Sequence, residues 1–294
     1  MSSPYIGPGV YAMPEAEYHA DPCPEPSLSS HVASILLNRS PLHAWVAHPR
    51  LNPHFERVDE GKFDLGRAAH ELLLCGQSCL AIVEADDWRT KAAREARDAA
   101  YAEGKTPLLA RQWADVERMA EAVQRQLAVH FEAKEALSNG QPEMALIWKE
   151  GVVWCRARLD WLPNEGVIFY DLKTTPDASP DAWQRRLFEN GADLQSGFYR
   201  RGIRAVLGIQ SPRFRFVVVE NEPPHAVAVF ELDPAAVDLA DRKAEEAIRV
   251  WGECMKTGTW PAYPPLVHYV APPAWQMSRW EEREGRKQMV DAAY

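Results

Sequence analysis

The hydrophobic period of the chain changes near residue 142, and that change restricts the fold more than any other feature. Upstream, LLARQWADVERMAEAVQRQLAVHFEAKEAL (residues 108–137) carries Trp113, Val116, Ala120, Val123, Leu127 and Phe131 at helical spacing. Downstream, PEMALIWKEGVVWCRARLDWL alternates as strands do, with a hairpin turn at residues 149–151, and VIFYDLK follows as a third strand. SPDAWQRRLFENG (179–191) then opens with a Ser cap and Pro at the first helical position and ends on Gly. ADLQSGFYRRGIRAVLG reads as another helix, RFRFVVVE and HAVAVFEL as two strands of a hairpin, and DPAAVDLADRKAEEAIRVWGECMKTG as a late helix. With no internal repeat, this order predicts a central mixed β-sheet flanked by helices, an α/β or α+β core.

The first half is a helical region. Residues 1–27, rich in Pro and Gly, predict an extended lead-in. SLSSHVASILLNRSPLHAWVAH (27–48) reads as a Ser-capped helix, a break before Pro41 and a short second helix. FDLGRAAHELLLCG (63–76) places Leu65, Ala69, Leu72 and Leu73 on one helix face, with Gly76 as its stop. Residues 87–106 are helical by composition but lack an apolar stripe, so they predict a solvated arm. The expected organisation is one domain over 28–260 with a helical insert at about 87–137. A Pro- and Trp-rich tail, 261–294, would wrap the surface or fray.

Composition excludes several classes. A chain of 294 residues is long enough for a sizeable core. No run of about 18 apolar residues exists, so no membrane span is expected. The N-terminus lacks the basic start and apolar stretch of a secretory signal. The five cysteines are odd in number and scattered, as expected of reduced thiols in a cytoplasm. Cys75 and Cys79 follow an apolar helical run and read as core residues. The net charge of −9 argues against a general nucleic-acid coat protein. It leaves open an enzyme of phosphate chemistry, because carboxylates hold the metal ions such chemistry uses.

The candidate chemistry lies in the central strands. Asp171 and Lys173 project to one face of VIFYDLK, and Leu172 to the other. If the turn at residues 163–166 pairs this strand with the one ending at Asp160, the two carboxylates meet at the sheet's edge beside the Leu172 carbonyl. Two carboxylates and a carbonyl form a hard-oxygen site that suits Mg²⁺ or Mn²⁺. Such ions activate water and screen a leaving oxygen, and Lys173 would add a cation. An Asp-x-Lys triplet by itself fits a structural ion pair on a strand better than a metal site, because such triplets are common.

Asp160 followed by Asp171-Leu172-Lys173 resembles the PD-(D/E)XK nuclease superfamily, with Leu159 where its loosely kept proline would stand. GRAAH, Gly66 to His70, resembles the G-x-x-x-H helix motif of the RecB-type branch. QSGFY, Gln195 to Tyr199, resembles its Q-x-x-x-Y motif, and the i,i+4 spacing puts both side chains on one helix face. Glu143, at the opening of the first strand, matches an acidic residue of the exonuclease VIII (RecE-like) and phage exonuclease group. The Ser-rich first helix with its S-P-x-H turn and the charged insert also resemble that group, so the likeness runs from about Tyr18 to Trp275.

The resemblance implies a restriction-endonuclease-like core and a Mg²⁺- or Mn²⁺-dependent exonuclease that resects linear double-stranded DNA. Metal ligands would be His70, Glu143, Asp160, Asp171 and the Leu172 carbonyl. Lys173 would position the attacking water, and Gln195 and Tyr199 would hold the scissile phosphate or adjacent nucleotide. A single-strand annealing recombinase as partner, a homo-oligomer and a cytoplasmic setting in a bacterial or phage-infected cell are implied as well. Cluster-bearing relatives use four cysteines, three of them after the nuclease core. Only Cys254 lies there, so no iron–sulfur cluster is expected. Arg185, Arg186, Arg200, Arg201 and Arg204 surround the Gln195 helix and are candidate DNA contacts. Arg156 and Arg158 share a strand face with Asp160 and fit a role holding carboxylates. Trp154, Trp161 and Phe198 fit core packing better than base stacking. The alternatives are an inactive binding module on the same fold and an endonuclease of the same branch.

Overall fold

The computed structural model describes residues 6–56 and 65–291, without the side chains of Leu65, Arg67 and residues 288–291. The expected helix start at Phe63 thus lies outside the described residues, as does the side chain of the stripe position Leu65. The chain divides after Ala262 into two compact units.

The first unit is built on a mixed sheet. The lead-in forms β1 (Gly9–Ala12), a short α1 (Glu15–His19) and β2 (Leu28–Ser29). It is therefore more than an extended arm, because β1 closes one sheet edge antiparallel to β5 (Gly140–Glu150). Next come α2 (Ser30–Asn38) and α3 (Pro41–Val46). Ser29 caps α2 by accepting from the Val32 N–H, and Ser40 caps α3 by accepting from that of His43. α4 (Leu65–Cys75) ends at Gly76, whose φ of 78° ordinary residues avoid.

The region read as a solvated arm is a small β–α–β unit. β3 (Leu80–Val83) pairs parallel with β4 (Thr106–Leu109), and α5 (Lys91–Ala102) lies between them in sequence. Ala93 and Ala100 are buried. Four-residue strands are too short to show a period, which is why composition favoured helix alone. α6 (Ala110–Ala128) buries Val116, Ala120, Val123 and Leu127 as expected. It stops before Phe131, which is 99% exposed, because the chain turns out of the helix and the stripe no longer continues.

β6 (Val153–Pro163) returns antiparallel to β5, and β7 (Ile168–Thr175) follows. α7 (Pro180–Glu189) and α8 (Ala192–Leu207) carry the chain over to β8 (Arg213–Glu220), parallel to β7, and β9 (Val227–Glu231) forms the far edge. The sheet order is β1-β5-β6-β7-β8-β9, with β2 beside the first half of β6. The long α9 (Pro234–Thr257) starts at the Asp233 cap and ends at Gly258. One face of the sheet packs Trp148, Leu159, Phe169 and Phe216 against α2, α7, α8 and α9; the other packs Tyr170, Leu172, Val217 and Val219 against α4 and α6. β8 contributes to both layers, so its run of Phe and Val is nearly continuous.

The second unit holds α10 (Ala274–Asp291) where only tail was expected. Prolines cluster before residue 274 and are absent after it, which lets the helix form. The Trp280 indole donates to Glu284, and the Arg283 guanidinium lies 5.6 Å from the Trp280 ring centre.

Candidate active site

Three carboxylates fall on one row of the sheet, and the ladders on both sides open there. β5 and β6 pair Pro142 with Trp161 and Met144 with Leu159, but the intervening rung, Glu143 with Asp160, is missing. β6 and β7 pair only at Trp161–Tyr170. One further step in that register would set Asp160 opposite Asp171. Like charges facing each other across strands are destabilising. Glu143 also leaves the β region, with φ 57°, an uncommon state for a non-glycine residue.

Groups flanking the row compensate its charge. His70 Nε2 lies 2.9 Å from Asp160 Oδ2, and its Nδ1 lies 3.7 Å from Glu143 Oε1. Arg158 Nε is 2.7 Å from Glu143 Oε2. The Leu172 N–H donates to Asp160 Oδ2 at 2.8 Å, so a carboxylate takes the place of a strand partner. In extended backbone the Leu172 carbonyl leaves the strand on that same edge. Lys173 Nζ is 2.5 Å from Asp171 Oδ2, and Gln195 Nε2 donates to Asp171 Oδ1 at 2.7 Å. Gly66 lets α4 come this close, since a Cβ there would collide with the Thr174 side chain on β7. His70, four residues on, shares that helix side.

The electrostatics reflect crowding. Burial, then the Asp160 charge, pushes the Asp171 carboxyl up to about 6 against the pull of Lys173. Burial likewise raises Glu143 to about 7, with Arg158 and His70 opposing. Burial by itself would lower His70, but Asp160 and Glu143 outweigh it and raise the imidazole to about 9. Asp160 is held below the usual carboxylate range: burial opposes this, and His70, Lys173 and the Leu172 N–H prevail. Lys173 is raised, since Asp171 and Asp160 overcome its burial, so it is an ammonium at neutral pH.

The donor set fits a divalent cation. Ligand atoms of His70, Glu143 and Asp160 lie within 4.8 Å of one another. Asp171 stands outside that trio, joined to it through Asp160 and Leu172. Its Oδ2 is buried and, despite Lys173, has no well-aimed hydrogen bond. Carboxylate oxygens with one imidazole suit Mg²⁺ or Mn²⁺, and binding there would release the imidazole proton.

The remaining expected residues divide. Tyr199 is buried edge-on to Phe214, its hydroxyl between Ser30 and Gln195. It lies behind Gln195, with only its edge exposed. Phe198 packs on Trp148, and the Trp161 indole donates to the Ser138 carbonyl. Trp154 is half-buried, with Lys149 over its ring. The five arginines divide as well. Arg200 and Arg204 face Asp241, and Arg201 faces Glu150, so their charges are balanced within the fold. Arg186 donates to Thr175 Oγ1 at the end of β7, and Arg185 is exposed. Ser30, beside Tyr199, was legible only as part of a helix start.

An acidic row with a lysine two residues beyond its last member, on a mixed sheet covered by helices, defines a PD-(D/E)XK nuclease-like protein. The sequence matches the family described as "PDDEXK-like domain of unknown function (DUF3799)" over residues 54–271, and the chain belongs to that family. Its fold is similar to that of a "Putative exonuclease" from Eubacterium rectale (TM-score 0.54, 10% identity, 90% of this chain and 96% of the other). A phage related exonuclease from Haemophilus somnus 129PT aligns more loosely (TM-score 0.29, 10% identity, 65% of this chain and 95% of the other). No curated protein matches the chain. Among the described residues, no helix is long and apolar enough to cross a membrane.

Proposed function

We propose that this protein is a Mg²⁺- or Mn²⁺-dependent deoxyribonuclease that digests linear double-stranded DNA from its ends. The observation that carries the reading is the row Glu143, Asp160 and Asp171 at opened ladders, with His70 and Lys173 against it. Glu143, Asp160, Asp171 and His70, with the Leu172 carbonyl, are the residues that would hold the ion. When bound, the ion supplies an acidified water and screens the charge on the leaving oxygen.

The chain's own groups do the rest. Lys173, kept cationic by Asp171 and Asp160, serves as a charge and a donor rather than as a base. It orients the attacking water and neutralises charge developing on the phosphoryl oxygens. Water adds to phosphorus, the P–O bond to the leaving sugar oxygen breaks, and a proton ends on that oxygen. Gln195 fixes the rotamer of Asp171 through Oδ1, and Tyr199 backs Gln195 from the core. Arg186, which reaches Thr175 at the end of β7, and the exposed Arg185 beside it in sequence are the arginines left for phosphates. DNA ends as substrate, a recombination role beside a single-strand annealing protein, self-assembly and a cytoplasmic setting belong to the same proposal. They rest on the resemblance of motifs. With a net charge of −9, activity should be highest at low salt.

The test is digestion of linear and covalently closed circular duplex DNA, at low salt with Mg²⁺ or Mn²⁺, by wild type and Asp171→Ala. Loss of only the linear form, by wild type alone, supports the exonuclease. Cutting of the circle makes it an endonuclease on the same scaffold. No cutting with either metal moves the inactive binding module ahead.

A further inference from the structure

We propose that Arg158 is a positioning residue that sets Glu143 as a corner of the cation site. The role rests on the metal-dependent reading above. Glu143 is the odd member of the row. Its strand keeps register on both sides, with Pro142 and Met144 paired normally, yet its own backbone is left-handed and its rung is lost. A glutamate in a strand does not adopt that state for its own sake, so the surroundings must hold it there.

Two side chains grip its carboxylate. The Arg158 contact, Nε 2.7 Å from Oε2, is the short one, an ion pair by distance and not an aligned hydrogen bond. His70 reaches Oε1 only at 3.7 Å, because the same imidazole sits 2.9 Å from Asp160. Arg158 pairs across the ladder with Ala145, two residues beyond Glu143, and so approaches as its diagonal neighbour. The alternate arginine of β6, Arg156, is committed elsewhere, to Ser27 and Asp21. β6 thus carries two arginines with different charges to hold, and only Arg158 serves the row. Acting through Glu143, it fixes where one ligand oxygen stands without touching the reacting atoms. Partners behind a metal ligand typically change metal affinity or activity by roughly 10- to 100-fold.

The experiment is calorimetric Mn²⁺ titration of the full-length protein without DNA. Wild type, Arg158→Met, Arg158→Lys, Glu143→Gln and the double variant Arg158→Met/Glu143→Gln are compared, with metal-free thermal unfolding as a check on folding. Arg158→Met should weaken Mn²⁺ binding roughly 10- to 100-fold, and Arg158→Lys should recover part of the loss. The double variant should bind no more weakly than Glu143→Gln alone, since Arg158 has nothing left to position. Unchanged affinity in Arg158→Met, or fully additive losses in the double variant, would overturn the role while leaving the nuclease reading intact. A wild type that neither binds Mn²⁺ nor cuts DNA overturns both. If Arg158→Met does not fold, Arg158→Gln carries the same cycle.

Discussion

Strand β6 passes through two charge clusters, one buried at Arg156 and one partly buried at Asp160, and the two are built on opposite principles. Around Asp21, which is fully buried, every need of the carboxylate is met. Oδ1 accepts from the Ser27 hydroxyl at 2.7 Å, Oδ2 from the Ser27 N–H at 2.8 Å, and His48 and Arg156 approach at 3.2 and 3.3 Å. Burial would raise this carboxyl, but His48, Arg156 and Ser27 outweigh it and hold it down at about 2. Four residues further along β6, the row of Glu143, Asp160 and Asp171 is crowded instead. Two of its three carboxyls are pushed up, and Asp171 Oδ2 lacks an aligned donor. The first cluster ties the lead-in to the sheet. The second keeps negative charge concentrated at an opening in the ladders, a condition that a divalent cation relieves.

The largest effect is expected at the Asp21 cluster. Asp21→Ala leaves Arg156 buried without its carboxylate and should cost about 3–5 kcal/mol in urea unfolding. A loss well under 1 kcal/mol would mean the cluster is not structural. In the row the pattern reverses: Asp171→Asn should lower the cleavage rate roughly 100- to 1,000-fold without lowering Tm, because it removes crowded charge. A variant that loses stability and activity together would make the row another structural cluster.

Acid sharpens the contrast, since the two carboxylates respond with opposite sign. Asp21 binds its proton less readily folded than unfolded. Its contribution, about 2 kcal/mol for a shift of this size, is present above about pH 4 and lost as pH falls towards 2. Asp171, raised to about 6, works the other way: stability linked to it falls as pH rises through the interval from 4 to 6. Urea midpoints measured from pH 2 to 7 should flatten at the acid end in Asp21→Asn and between pH 4 and 6 in Asp171→Asn. A smaller effect is expected at the helix that brings His70. Gly66→Ala forces a Cβ onto Thr174 and should cost about 1–3 kcal/mol, with a loss of activity exceeding the loss of Tm. No change in either would remove the close approach of α4 from the account.

Much of this was legible in the sequence, and the gaps have physical causes. The alternation from residue 142 onward predicted β5 to β7, and Asp160, Asp171, Lys173 and His70 were expected together on the strength of motifs. The structure brings them together. The burial of Tyr199 was not legible, because an i,i+4 pair reveals which residues share a face but not what that face meets. The carboxylate partners of Arg200, Arg201 and Arg204 were not legible for a related reason: Asp241 and Glu150 lie 37 or more residues away in sequence, and only packing reveals the pairing. The Asp21 cluster joins residues from the lead-in, the loop after α3 and β6, and no local period signals such a contact. The β3–β4 pair is too short to alternate.

Whether the carboxylate row is charge held ready for a cation is decided by thermal unfolding of wild type and Asp171→Asn against Mn²⁺ concentration. Binding to the native state stabilises by about 2.7 kcal/mol at a hundredfold excess over Kd. The wild-type Tm should show a saturable rise and Asp171→Asn a strongly reduced one, its metal-free Tm being no lower. An unchanged wild-type Tm, or equal rises in both proteins, would contradict a cation site in the row.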